Sequence, residues 1–160
     1  MFQTMLKDRF KLAAHREVKE VNGYVLVAAR GGTKIKEYKD SDEIAPMPDY
    51  LSMKPRNAWE HQVFITAGGK GYSALTGRRV SIDQLAECLQ TEVETFVLNK
   101  TGMPGNYYFG TKFVNNRLPD VDGPSLFAAL QEALGLRLEK QKGPVEMLIV
   151  DHMEKVPTEN

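Results

Sequence analysis

The 160-residue chain is poor in the groups that usually carry chemistry: one cysteine, three histidines and one tryptophan. A lone Cys88 excludes an internal disulfide and leaves the redox compartment open. Neither sign of charge is in excess, with 21 basic against 21 acidic residues. The basic residues are scattered (Lys34/Lys36, Lys54/Arg56, Arg78/Arg79, Lys140/Lys142) and acidic ones lie among them. Nucleic-acid binding draws much of its affinity from phosphate neutralisation, so this balance argues against it. No apolar run approaches the roughly 20 residues of a membrane helix, so this segment is not expected to span a bilayer. Metalloprotease spacing (H-E-x-x-H) is missing, and so is the serine nucleophile elbow. Gly68-Gly69-Lys70-Gly71 hints at a phosphate loop, but Gly71 stands where a hydroxyl residue is needed, so it reads as a hairpin turn. No metal site, cofactor or catalytic residue is assigned.

What remains is patterning. An apolar fraction of 42% is enough for a core. Gly123 to Lys155 reads as one helix followed by one β-hairpin. Pro124 suits the first helical position. Leu126, Phe127, Leu130, Ala133 and Leu134 make one helical stripe, and Gly135 suits a left-handed C-cap. The period then falls to two: Leu136 and Leu138 alternate with Arg137 and Glu139. Lys142-Gly143-Pro144 reads as the turn. Val145 to Val150 is nearly all apolar and is expected to be the most buried strand, central in its sheet.

The start of the chain repeats this plan. Phe2, Met5, Leu6 and Phe10 share one helical face. Lys11 to Val21 alternates, Val21-Asn22-Gly23 gives a turn signal, and Tyr24 to Ala29 forms a second strand closed by Gly31-Gly32. Lys34-Ile35-Lys36 adds a short edge. Asp40 to Asn57, with Pro46, Pro48 and Pro55, reads as a connection. Strands are expected over Trp59–Thr66, Tyr72–Val80, Thr95–Leu98 and Asn106–Phe113, the last with Tyr107, Phe109 and Phe113 on alternate positions. Ser81 with Gln84 makes a capping box, and the helix behind it turns Ile82, Leu85, Ala86 and Leu89 inward. The expected fold is α+β, with repeated helix–β-hairpin units whose helices pack on mixed or antiparallel sheet. The expected division is 1–39 as a helix–hairpin unit, half of a truncated repeat. A connection over 40–58 follows, then a βαβ-type repeat pair over 59–156 and a tail over 157–160. A helix beginning at the first residue has no N-cap from the chain, so the chain is expected to begin inside a longer protein.

Two clusters are candidate sites. His15 and Glu17 lie two apart on one strand face; with Asp151 or His152 from another strand they could hold a metal. The plainer reading is a solvated charged face beside Arg16 and Lys19. Lys100, Thr101 and Tyr107, around the Lys100–Gly105 loop, could form a binding lip; the plainer reading is turn geometry with Tyr107 packed. Cys88 has no basic neighbour and reads as a structural thiol.

These blocks carry a resemblance. Met5 to Leu12 with His15-Arg16-Glu17, Val80-Ser81 with Gln84-Leu85-Ala86, Lys100-Thr101-Gly102 with Gly105 and Tyr107, and Gly123 to Lys155 resemble a soil-associated, acidobacterial-type bacterial family of unknown function. Asn99, Asn106 and Tyr108 depart from its usual Asp, Arg and Asp, which weakens any charge-based binding at that loop. The resemblance implies an extracytoplasmic (periplasmic or secreted) protein of which this is the C-terminal part, and it brings no activity with it. Val80–Phe113 with Ser125–Val150 is also similar to the short N-terminal domain of secretins and TonB-dependent receptors. On that likeness Phe2, Met5 or Leu6 should be more exposed than Leu126, Phe127 or Leu130. The expected role is a non-catalytic extracytoplasmic interaction module whose partner is a protein or cell-envelope component. The alternatives are a small envelope-acting hydrolase using His15/Glu17 and the Lys100–Tyr107 loop, and an assembly module that adds strands edge to edge.

Overall fold

A computed structural model describes residues 9–39, 61–69, 71–114 and 121–156. The expectations for Phe2, Met5, Leu6 and the Asp40–Asn57 connection lie outside them. Among the described residues, after a helical end at 9–10, seven strands and two helices follow one another: β1 (Ala13–Ala28), β2 (Lys36–Glu37), β3 (Gln62–Gly69), β4 (Tyr72–Val80), α1 (Ile82–Val93), β5 (Val97–Asn99), β6 (Tyr107–Val114), α2 (Leu126–Ala129, continued by a π turn over Leu130–Leu134) and β7 (Leu136–His152). The fold is α+β. Strands form two sheets, one in the order β5-β1-β7 and the other in the order β2-β6-β4-β3.

The chain divides into two compact units: residues 1–22 with 142–160, and residues 23–141. The larger unit holds the core. β4 pairs antiparallel with β3 on one side and β6 on the other. Ser73 to Gly77 are buried on both of its faces, as a central strand requires. Tyr107, Phe109 and Phe113 of β6 are buried at every second position. α1 opens on Ser81, whose Oγ accepts from Gln84 N while the Gln84 side chain accepts from Ser81 N. That reciprocal pair satisfies two end donors and sets the helix phase, so Ile82, Leu85, Ala86 and Leu89 all point into the core. β5 runs parallel to β1, with Tyr24 opposite Val97.

The helix before β7 starts two residues later than expected, at Leu126 rather than Pro124. Ser125 is the cap, its Oγ accepting from Ala128 N. Pro124 precedes the cap, and its carbonyl accepts from Val114 N instead. Gly135 is the left-handed C-cap, at φ 66°.

The larger correction concerns the two hairpins. Neither Asn22-Gly23 nor Lys142-Gly143-Pro144 turns the chain: each lies inside one long strand, of 16 residues in β1 and 17 in β7. Repeated helix–hairpin units are therefore not what these stretches form. Gly23 serves another purpose. A Cβ there would lie 2.5 Å from the Phe96 ring, so the missing side chain admits the ring over the strand. Pro144 stands in β7, the outermost strand of its sheet, where a lost ladder donor is tolerated. The two strands pair with each other. In the larger unit Ala29 N donates to the Gly135 carbonyl; in the smaller, Glu154 N donates to the Phe10 carbonyl. Both contacts fit an antiparallel ladder.

Candidate interaction surfaces

The smaller unit contains the first half of β1 and the second half of β7. Residues 13–20 of β1 are all exposed. On β7, Glu146, Met147, Leu148, Val150, Asp151 and His152 are exposed. Val145–Val150, expected to be the most buried strand, is thus an exposed edge. Val18, Leu148 and Val150 are 65%, 66% and 54% exposed. The three lie at even positions, and so do Arg16 and Glu146, which form an ion pair across the strands. Alternation therefore puts all five on one face. The opposite face carries His15 Nδ1, 2.9 Å from Asp151 Oδ2. Lys19 Nζ lies 3.3 Å from Glu17 Oε2, and Lys11 Nζ lies 3.0 Å from Glu154 Oε1.

His15 thus meets Asp151, one of the two partners its spacing suggested, and Glu17 meets Lys19. Among the described residues no group of three or more His, Cys, Asp or Glu is placed to hold a metal ion. The exposed apolar face was missed by sequence reasoning, because an apolar run at strand spacing looks the same buried or bare. The signal that could have found it is Pro144, which marks an edge strand. β7 has no further strand beyond it among the described residues. β5 covers only Tyr24–Leu26 of β1, so the earlier residues of β1 carry no second described strand either.

The loop residues belong to the larger unit, where each has a local bond. Lys100 Nζ donates to Gln141 Oε1, and Lys100 N donates to the Leu26 carbonyl. Thr101 N and Oγ1 both bond Asn99 Oδ1, and Thr101 Oγ1 accepts from Met103 N. Tyr107 donates its phenol proton to the Pro104 carbonyl at 2.6 Å. Asn99 is the hub: its amide nitrogen also donates to Asp83 Oδ1 at 2.8 Å. An aspartate at this position can make the Thr101 bonds but not the Asp83 bond, and it sets two carboxylates together. Asn99→Asp is expected to lower stability by about 1 kcal/mol at pH 7. Like charge raises the folded pKa of one carboxyl in that pair. The loss should therefore shrink as pH falls through that raised value. Urea midpoints at pH 7 and pH 4 check both signs.

A groove of about 530 Å³ runs between β3 and α1, lined by His61, Val63, Ile65, Glu87, Cys88 and Glu92 among others. Burial first, and the Glu92 carboxylate second, push the Cys88 thiol up. A raised thiol holds its proton at neutral pH and is a poor nucleophile. The Tyr107 phenol is also raised, by burial and then by Glu37. In both groups folding favours the protonated form. Their contribution is complete below the unfolded-state pKa values and lost as pH rises through the folded ones. Stability measured by urea is therefore expected to fall above about pH 9. Cys88→Ser should flatten the first part of that fall; a flat profile in the unaltered chain would contradict both shifts.

The model of a family described as a protein of unknown function, DUF3738, matches residues 1–153. No curated protein and no solved structure matches the chain.

Proposed function

The chain belongs to the DUF3738 family, an uncharacterised one, and we propose that it is a non-catalytic, extracytoplasmic interaction module that works by strand addition. The observation that carries this reading is the apolar face of β7 over Val145–His152 and its edge, which no strand covers among the described residues. Exposed strand edges template pairing with another chain unless charge, proline or a covering element blunts them. Here Leu148 and Val150 lie bare on one face beside Val18. Main-chain bonds along such an edge supply affinity and alternate side chains supply specificity. The partner in this reading is a protein or cell-envelope component. His15, Glu17, Lys100 and Thr101 stay candidate contacts in this reading, whereas Tyr107 is buried with its phenol on the Pro104 carbonyl and would act by holding the loop. The hydrolase reading draws less support: His15, Glu17, Lys100, Thr101 and Tyr107 are each engaged by a partner of their own.

A photo-crosslinking residue placed at Leu148 in the native cells tests the reading. Protein adducts are expected at that position and not at Lys112 on β6. Equal adducts at both positions, or none at either, would reject the role of the edge. Protease protection in intact cells tests the extracytoplasmic placement: a protected chain that becomes sensitive only on lysis of the inner membrane would contradict it.

A further inference from the structure

We propose that the β7 edge pairs with the same edge of a second copy, giving a two-fold antiparallel dimer centred on Ile149. This rests on the strand-addition reading and names its partner. A two-fold axis through a sheet keeps the faces of both copies on the same sides, so opposed residues have matching parity. With the axis at Ile149, Leu148 stands opposite Val150 of the partner subunit, and Val150 opposite Leu148 of the partner subunit. The four side chains join into one apolar stripe on the face that already carries Val18.

Polarity and charge select this register. Glu146, which also meets Arg16 of its own copy, falls opposite His152 of the partner subunit, whose ring N–H can donate to the carboxylate, and the symmetry makes the pair twice. Asp151 falls opposite Met147 of the partner subunit and meets no like charge. Moving the axis to Val150 sets Glu146 against Glu154 of the partner subunit and Leu148 against His152 of the partner subunit. Moving it to Leu148 leaves His152 facing Pro144 of the partner subunit, with no acceptor side chain opposite. Opposed like charges across a ladder destabilise it, and an opposed donor and acceptor support it. The edge is thus complementary to itself in one register. A two-stranded ribbon alone is marginal in water, and further strands on its edge are what stabilise it. Isologous pairing also closes the edge, whereas pairing to an unrelated surface leaves one open for further growth.

The test uses the full chain with Cys88→Ser, followed by sedimentation equilibrium and mild oxidation. Opposed residues in either kind of antiparallel pair lie about 4.5–5.5 Å apart, within disulfide reach. Ile149→Cys is therefore expected to give a covalent dimer. Met147→Cys should not, since the two copies of that position sit four residues out of register, about 13 Å apart. His152→Glu should weaken the dimer about tenfold or more by opposing two carboxylates. Glu146→His added to it should restore the dimer, which a mere folding defect would not allow. A monomer at every concentration overturns the dimer. So does equal crosslinking at 147 and 149, or a dimer indifferent to His152→Glu. If deleting residues 1–8 converts a monomer to a dimer, the chain's own start covers the edge and the proposal also fails. Adducts from Leu148 to a different protein, with a monomeric chain, would reject the second copy while leaving strand addition standing.

Discussion

Phe113→Ala is expected to lower the stability of the chain by about 3–5 kcal/mol. Phe113 is 1% exposed and lies opposite Ser73 on the central strand β4. Its ring belongs to the core cluster with Leu75, Leu126 and Leu130, over a sheet whose central strand β4 is paired on both sides. Backbone held in two ladders does not move in to close a hole, so most of the cavity cost is retained. Against a total of about 5–15 kcal/mol this is about a fifth or more of the whole. Phe127 is the comparison. It is 41% exposed and packs edge-on with the Tyr24 ring, centroids 5.4 Å apart. Phe127→Ala should cost about 1 kcal/mol, close to the worth of an aromatic pair. Urea midpoints of the two variants decide the matter. Similar losses would mean that Phe113 is not enclosed as described.

Gly135→Ala should be nearly as damaging, for a different reason. Gly135 sits at φ 66°, where a side chain costs about 1–2 kcal/mol on its own. The site is also closed. A Cβ there would lie 2.3 Å from the Gly32 carbonyl oxygen, 2.9 Å from Thr33 Cα and 3.0 Å from Lys34 N. Those atoms cannot retreat. Lys34 N donates to the Leu134 carbonyl, Gly32 N to the Ala29 carbonyl and Ala29 N to the Gly135 carbonyl itself. Overpacking adds about 1–3 kcal/mol, for a total of about 2–5 kcal/mol. Gly102 isolates the first contribution, since it sits at φ 67° with no atom within 4 Å of a Cβ. Gly102→Ala should therefore cost about 1–2 kcal/mol, the dihedral part alone. Equal losses at the two glycines would show that the close backbone approach at Gly135 does not matter.

The parts of the fold that sequence reading found are those whose signals are local. Ser81 and Gln84 cap one another three residues apart, so the helix start and its inward residues follow from a few neighbouring positions. β4 is bounded by Gly71 and Ser81, and β6 alternates cleanly. Gly135 is a C-cap on local grounds alone. The two false hairpins failed because their signals are ambiguous locally. An Asn-Gly step is favourable for a turn, yet the same glycine is what a ring packed over a strand requires, and the ring at Gly23 comes from Phe96, some 70 residues away. Lys142-Gly143-Pro144 likewise looks like a turn until a distant strand pairs with it. At the candidate site, His15 and Asp151 were legible as possible neighbours, because both fall on strands of matching period. That Val145–Val150 is bare was not legible: periodicity reports which residues share a face, and not what lies against that face.

The pairing of β1 with β7 also fixes an order of events. His15 and Asp151 are 136 positions apart in the chain, so once His15 is made their contact waits for 136 further residues. At about 5–20 residues per second, residues 13–22 wait roughly 7–27 s on the ribosome for the strand that completes them. The β3–β4–β6 ladder and α1 close over much shorter distances and can settle first. The ribbon is therefore the late step of folding, carrying most of the cost of joining distant segments. Residues 13–22 are the stretch most open to capture by a chaperone while the chain is still growing.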